Sequence, residues 1–229
     1  MCRGQKKCTE LEEEISLWDK YTPLRPPGWF VNEVDKFTDV VEAVSNGEKS
    51  KGIKKLTNIK SNELREWYCE HGQQSGLFRN NKLKIETKKD KNIKLDSRRS
   101  PSKYEKEVFQ RDSYTCQYCG IKVIPRDVFD IFSRIVGRSN FCPTGTNGER
   151  HGIVLAFRAC ADHVVPWTYG GKTEPENLVT SCWACNFGKS GYTLEEIAII
   201  DPRKNHLSNK DWQGLTEYSS VLKKQIIKK

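Results

Sequence analysis

A chain of 229 residues with 30% charged residues, six tryptophans and nine phenylalanines can hold one large domain or two small ones and pack them. No run approaches the roughly 18 apolar residues of a membrane helix, and the opening MCRGQKKCTELEEEISLWDK lacks the apolar core of a secretory signal. The expectation is a cytoplasmic protein with no membrane partner. The formal net charge of +9 favours a polyanion as partner, and nine cysteines in a reducing compartment read as metal ligands rather than disulfides.

From the N-terminus, ELEEEISLWDKY reads as a short amphipathic helix and TPLRPPGWF as an irregular crossing. In VNEVDKFTDVVEAV, apolar residues at 31, 34, 37, 40, 41 and 44 repeat with helical period and predict a helix from Val31 to about Val44. NGEKSKG (46–52) is expected as a loop. SNELREWYCEHGQQSG (61–76) reads as a helix opened by Ser61 or Asn62 and closed by Gly72. Residues 1–78 are thus expected as a mostly α-helical region, without internal repeats. Residues 79–99 form a basic linker or arm: Arg79 to Arg111 contains twelve Lys or Arg against five Asp or Glu. Such a run is usually a solvated linker, and phosphate binding becomes the better reading only beside a nucleic-acid site.

Ser100 can cap a helix whose first residue is Pro101, so PSKYEKEVFQRD predicts a helix that ends near Asp112 and delivers the chain to SYTCQYCG. The segment 121–150 contains VFDIFSRIV and then the loop-like NFCPTGTNGERHG. GIVLAFRACADHVV has the composition of a strand, TYGGKTEPEN of a turn-rich loop and NLVTS of a short strand. After the second cysteine pair the chain can enter a helix. TLEE fits the capping-box pattern from Thr193 to Glu196 and predicts a further helix, with Pro202 just beyond its end. Residues 202–229 are expected as a basic tail.

Cys116 with Cys119 and Cys182 with Cys185 form two C-x-x-C pairs. Together they supply four thiolates, the number a structural zinc takes in tetrahedral geometry. A redox dithiol would explain either pair alone but not the presence of two. Sixty-two residues separate Cys119 from Cys182, against roughly 15–20 in a simple ribbon, so the site would staple the ends of a sizeable insert. Cys2, Cys8, Cys69, Cys142 and Cys160 read as small buried hydrophobes.

The stretch DHVVPWTYGGKTEPENLVTSCWACN (162–186), with EVFQRDSYTCQYCG before it, resembles the HNH nuclease family, the ββα-metal group, in its zinc-stapled form. The matching elements are C-x-x-C-G, DH-x-x-P, GG, EN-L-V and C-x-x-CN-x-x-K. The resemblance implies an α+β fold class: a ββα-metal (HNH) module at 100–201, stapled by a four-cysteine zinc site, with an insert at about 121–152. The mostly helical N-terminal region would precede it and could contribute DNA recognition. It implies His163 as general base, since imidazole titrates near working pH. Asp162, on the other side of the strand, and Asn186 would hold a catalytic Mg²⁺ or Mn²⁺. Asn177 would fix the loop and orient His163. Lys189 would meet a phosphate, as would Arg98, Arg99 and Lys103 from the basic arm.

Asn186 stands where the family often has His; its amide oxygen suits a hard cation and implies weak metal binding. The insert is a second departure, for which the sequence offers no physical account. The implied function is a metal-dependent DNA endonuclease, preferably of restriction type because some hundred residues precede the module and could read bases. The alternative is a non-catalytic zinc-stabilised nucleic-acid-binding protein. The expected partner is double-stranded DNA, with RNA left open, and palindromic cutting would favour a homodimer.

Overall fold

The computed structural model describes residues 7–8, 13–14, 26–73, 100–197, 199–204 and 206–227. In chain order these form β1 (Lys7–Cys8), β2 (Glu13–Glu14), α1 (Gly28–Ser45), α2 (Lys49–Leu56) and α3 (Ser61–Trp67). Beyond Ser100 come α4 (Glu105–Arg111), α5 (Arg126–Val136), α6 (Gly152–Phe157), β3 (Ala159–His163), β4 (Leu178–Cys182), α7 (Trp183–Lys189) and α8 (Ser219–Ile227). β3 and β4 pair antiparallel, Ala159 opposite Cys182 and His163 opposite Leu178, and β4 runs straight into α7. That succession is a ββα unit, set in a mostly helical α+β chain.

The periodic apolar residues of α1 are buried as expected: Phe30, Val34, Phe37, Val40, Val41 and Val44. The expected loop 46–52 is helical from Lys49 onward. The reason is tertiary: α2 lies so close to α1 that a Cβ on Gly52 would stand 2.4 Å from Val44 Cγ2. Glycine, a poor helix former, is here the residue that lets two helices touch. α3 starts where expected and continues as a π-helical turn, Tyr68–Gln73. Ser61 serves α6 rather than its own helix, its hydroxyl accepting the Gly152 amide at 2.8 Å.

The insert joins the N-terminal helices to the ββα unit. Phe129 and Phe132 of α5, together with Phe141, surround Phe37 of α1 at ring separations of 5.9, 5.2 and 5.5 Å. All four rings are at most 1% exposed. Burial at roughly 1.5–3 kcal/mol per ring makes this cluster a main tie between the two halves of the chain. The segment expected as a tail also folds back. Trp212, Leu215 and Leu222 are buried, Trp212 Nε1 donates to Val123 O at 3.0 Å, and Gln225 Nε2 donates to the carbonyls of Val44 and Ser45 at the end of α1.

Three further expectations are corrected. GIVLAFRACADHVV is not one strand. Gly152–Phe157 is helical, with His151 Nδ1 accepting the Ile153 amide at its start, and strand begins only at Ala159. All six residues of α6 are buried, so no polar face marks the helical period. The Thr193–Glu196 capping bonds form, yet only a turn follows. Glu196 is buried and bonded by Tyr169 Oη, and Ile199 N closes back on Leu194 O. Within ELEEEISLWDKY, Glu13–Glu14 pair as a strand with Lys7–Cys8, and the rest lies outside the described residues.

Candidate functional site

The first cysteine pair sits on a tight turn. Gly120, at φ +76, adopts the left-handed backbone that closes it, the Gly120 amide donating to Cys116 O and the Cys116 amide to Ile121 O. The Gln117 amide donates to Thr180 O and moors the turn to β4. The Arg111–Asp112 pair does the same from α4: Asp112 Oδ2 accepts the Thr180 amide at 2.7 Å, and Arg111 donates to Pro175 O and Leu178 O. The second pair straddles the β4–α7 junction, with Cys182 Sγ accepting the Cys185 amide at 3.4 Å. These anchors bring the Sγ atoms of Cys116, Cys119, Cys182 and Cys185 within 4.8 Å of one another.

Cys119 and Cys182 are 3.8 Å apart. A disulfide needs about 2.05 Å, whereas Zn–S bonds of about 2.3 Å give a tetrahedron with edges of about 3.8 Å. The four free thiols therefore fit zinc, and the cluster could hold it. Burial pushes the Cys182 and Cys185 thiols well above their ordinary range. At Cys116 burial acts the same way but is outweighed by hydrogen bonds from the other three cysteines, which hold it well below. Such proton sharing among crowded sulfurs is what a dication replaces. Cys160, pushed up to about 12 by burial, stays a protonated thiol beside the cluster.

Next to the cluster, Asp162 and His163 at the end of β3 and Asn186 on α7 line one cleft of about 730 Å³, together with Pro166, Trp167 and Phe187. Adjacent strand residues ordinarily face opposite sides; here the cleft lies across the strand's end and takes both Asp162 and His163. Asp162 is buried, its Oδ2 accepting from Tyr118 Oη at 2.7 Å and lying 3.3 Å from Lys189 Nζ. Burial first, then the Asp162 charge, raise the Tyr118 phenol well above its usual value, so it stays a donor to the carboxylate. His163 Nε2 is 2.9 Å from Thr173 Oγ1. The Asn186 side chain lies beside the Cys160 thiol and partly offsets the effect of burial on it. Asp162 and Asn186 offer two hard oxygens on an open cleft, a donor set that suits a cation retaining much of its water.

Asn177 bridges the loop that follows His163. Its Oδ1 accepts the Val165 amide at 2.9 Å, and its Nδ2 donates to Val165 O at 3.0 Å and Lys172 O at 2.9 Å. The double glycine has a steric reason, since a Cβ on Gly171 would lie 1.8 Å from Val165 O.

Lys189 is corrected. Its side chain is fully buried, and the ammonium donates to His163 O at 2.7 Å besides pairing with Asp162. It braces the site from behind and has no surface from which to meet a phosphate. Arg98 and Arg99 lie outside the described residues. Lys103 is exposed near the Tyr104 ring, and the neighbouring Ser100 and Pro101 line the cleft. Sequence reasoning missed Tyr118 and Thr173 as neighbours of the signature residues. The aromatic inside CQYCG was the available signal for Tyr118; nothing local marked Thr173.

Residues 155–191 match the profile of the HNH endonuclease family. The match runs from the end of α6 to just past α7 and contains Asp162, His163, Asn177, Asn186 and the second cysteine pair, while Cys116 and Cys119 reach the site only through the fold. No curated protein and no solved structure matches the chain. The likeness is to an endonuclease domain and is confined to that segment. Among the described residues no helix is long and apolar enough to cross a membrane.

Proposed function

We propose that the protein is a metal-dependent endonuclease that hydrolyses phosphodiester bonds in double-stranded DNA. The observation that carries this reading is the convergence of Asp162, His163 and Asn186 on one cleft beside a buried four-thiol cluster. His163 takes a proton from the attacking water on its imidazole, with Thr173 and the Asn177-braced loop holding the ring. Asp162 and Asn186 hold Mg²⁺ or Mn²⁺, which when bound supplies Lewis-acid stabilisation of the leaving oxygen. Tyr118 and Lys189 fix the Asp162 carboxylate. Zinc on the four cysteines is structural: a unit of two five-residue strands and a seven-residue helix buries little on its own, and structural zinc can contribute about 10 kcal/mol or more.

A restriction-type role is the favoured setting, because helices α1–α3 share one core with the ββα unit and could hold a base-reading surface rigidly beside it. Lys103, close in sequence to the cleft-lining Ser100 and Pro101, supplies a phosphate contact, and Arg98 and Arg99 of the basic arm are proposed to add others. Palindromic cutting would be matched by a homodimer. The alternative, a non-catalytic zinc-stabilised nucleic-acid-binding protein, has one observation in its favour: the Lys189 ammonium already occupies the Asp162 carboxylate. Incubation of wild-type and His163→Ala protein with methylated and unmethylated supercoiled plasmid, with and without Mg²⁺, separates the two. The expected result is Mg²⁺-dependent nicking or linearisation by wild type, lost at least about 100-fold in His163→Ala with duplex binding retained. Equal cutting by both proteins removes His163 from the mechanism.

A further inference from the structure

Two arginines eight residues apart and a third from α3 come together at Trp183, the first residue of α7. Arg65 comes from α3, Arg150 from the end of the insert loop and Arg158 from the residue before β3. Arg150 and Arg158 both stack on Trp183, with Cζ 4.9 and 4.5 Å from its ring. Arg65 reaches the group by donating to Arg150 O at 2.9 Å. The charges act on one another: burial first, then Arg126 and Arg150 against the opposing pull of Cys160 and Glu105, lower the Arg158 pKa.

What the cluster lacks is an anion. Among the described residues no carboxylate forms an ion pair with Arg65, Arg150 or Arg158. The Nε atoms of all three are buried and without a hydrogen-bond partner. Glu105 faces Arg158, but its own pKa is raised by burial despite the arginines, and Arg126 is engaged by Asp130. An unsatisfied buried donor costs about 1–3 kcal/mol, more when charged. Packing on Trp183 explains two flat guanidiniums; it does not explain three like charges gathered with only Glu105 facing one of them and no ion pair formed.

The position supplies a reason. Trp183 contacts Phe187 at 5.7 Å, and Phe187 with Asn186 lines the cleft. One face of α7 therefore leads from the proposed catalytic cleft to the arginines. We infer that Arg150 and Arg158, backed by Arg65 and Trp183, form a phosphate-backbone site that holds the nucleic-acid strand flanking the scissile bond. The inference rests on the nuclease reading above and adds residues from the insert and the N-terminal region to it. Arginine suits the task because its planar fork can pair two phosphate oxygens while stacked on an aromatic ring. Contacts of this kind carry no sequence information.

The test is salt-dependent binding of the full-length protein to two unrelated fluorescent duplexes, without added divalent ion. Each lost phosphate contact lowers the slope of log affinity against log salt by about 0.9. The double variant Arg150→Gln/Arg158→Gln is expected to lose about 1.8 from that slope and to bind both duplexes about tenfold or more weakly. Its zinc content should be unchanged. Lys54→Gln/Lys223→Gln, which removes two exposed charges elsewhere, is the control and should bind less altered. If the double variant does not fold, Arg158→Gln alone is read, with an expected loss of about 0.9. A folded variant with the wild-type slope overturns the site and leaves the arginines as packing for Trp183, while plasmid cutting by wild type keeps the nuclease reading intact. Wild-type protein that neither binds nor cuts any duplex or single strand overturns that reading itself.

Discussion

Replacing Asn177 by alanine removes three hydrogen bonds at once, those to Val165 N, Val165 O and Lys172 O. At about 1 kcal/mol each, the expected loss is about 3 kcal/mol, concentrated in the loop between β3 and β4. His163 ends β3 two residues before Val165, so the loss falls on the segment that sets its ring. A misplacement of about 1 Å can cost about 100-fold in rate. The assay is single-turnover plasmid cleavage at saturating Mg²⁺ alongside thermal melting of the same samples. Asn177→Asp keeps the acceptor for Val165 N but turns a carboxylate oxygen toward the Val165 and Lys172 carbonyls, and should be at least as damaging as Asn177→Ala in both measurements. A variant that melts lower yet cleaves at the wild-type rate would show that the loop stabilises the domain without orienting His163.

Two further outcomes are expected. Cys182→Ser should lower the zinc content measured by elemental analysis and unfold the ββα unit, because a loss of about 10 kcal/mol is comparable with the whole stability of a domain; retained zinc would refute the four-sulfur staple. The His151 pKa is lowered to about 4, first by burial and then by Arg65. The unfolded chain protonates it near 6.5 while the folded chain does not. Its contribution is therefore full above pH 6.5 and is lost as pH falls toward 4, by about 2 kcal/mol between pH 7.5 and 5. His151→Asn keeps an acceptor for the Ile153 amide and should flatten that part of the stability profile. Identical pH profiles for the two proteins would mean that His151 protonates in place.

The proposed chemistry was readable in the sequence because its signals are local. Two C-x-x-C pairs, DH, GG and EN each state a requirement of a single turn or strand end: four sulfurs for a tetrahedral ion, a base beside a hard ligand, a residue without Cβ where backbone passes at van der Waals distance. Helix α1 and strand β4 were equally plain, one from its period and one from its composition. Other parts depended on neighbours that the chain meets only after folding. Gly52 in a polar stretch looks like a loop until α1 lies against it, and the all-apolar Gly152–Phe157 shows no period because every side is buried. The Thr193 capping box forms its bonds, yet only a turn follows, with the other carboxylate oxygen of Glu196 held by Tyr169.

Lys189 marks the boundary most clearly. Its sequence position, three residues after Asn186, fits a surface contact as well as a brace, and only burial against His163 O and Asp162 decides between them. The sequence by itself determined the residue types and short spacings on which the proposed reaction class rests, because covalent chemistry and metal geometry fix both. The tertiary structure alone decided which of those residues face solvent, what the insert joins, and that Arg150 and Arg158 share the Trp183 ring while Arg65 of α3 reaches them. Such facts depend on long-range packing, and no local pattern encodes it.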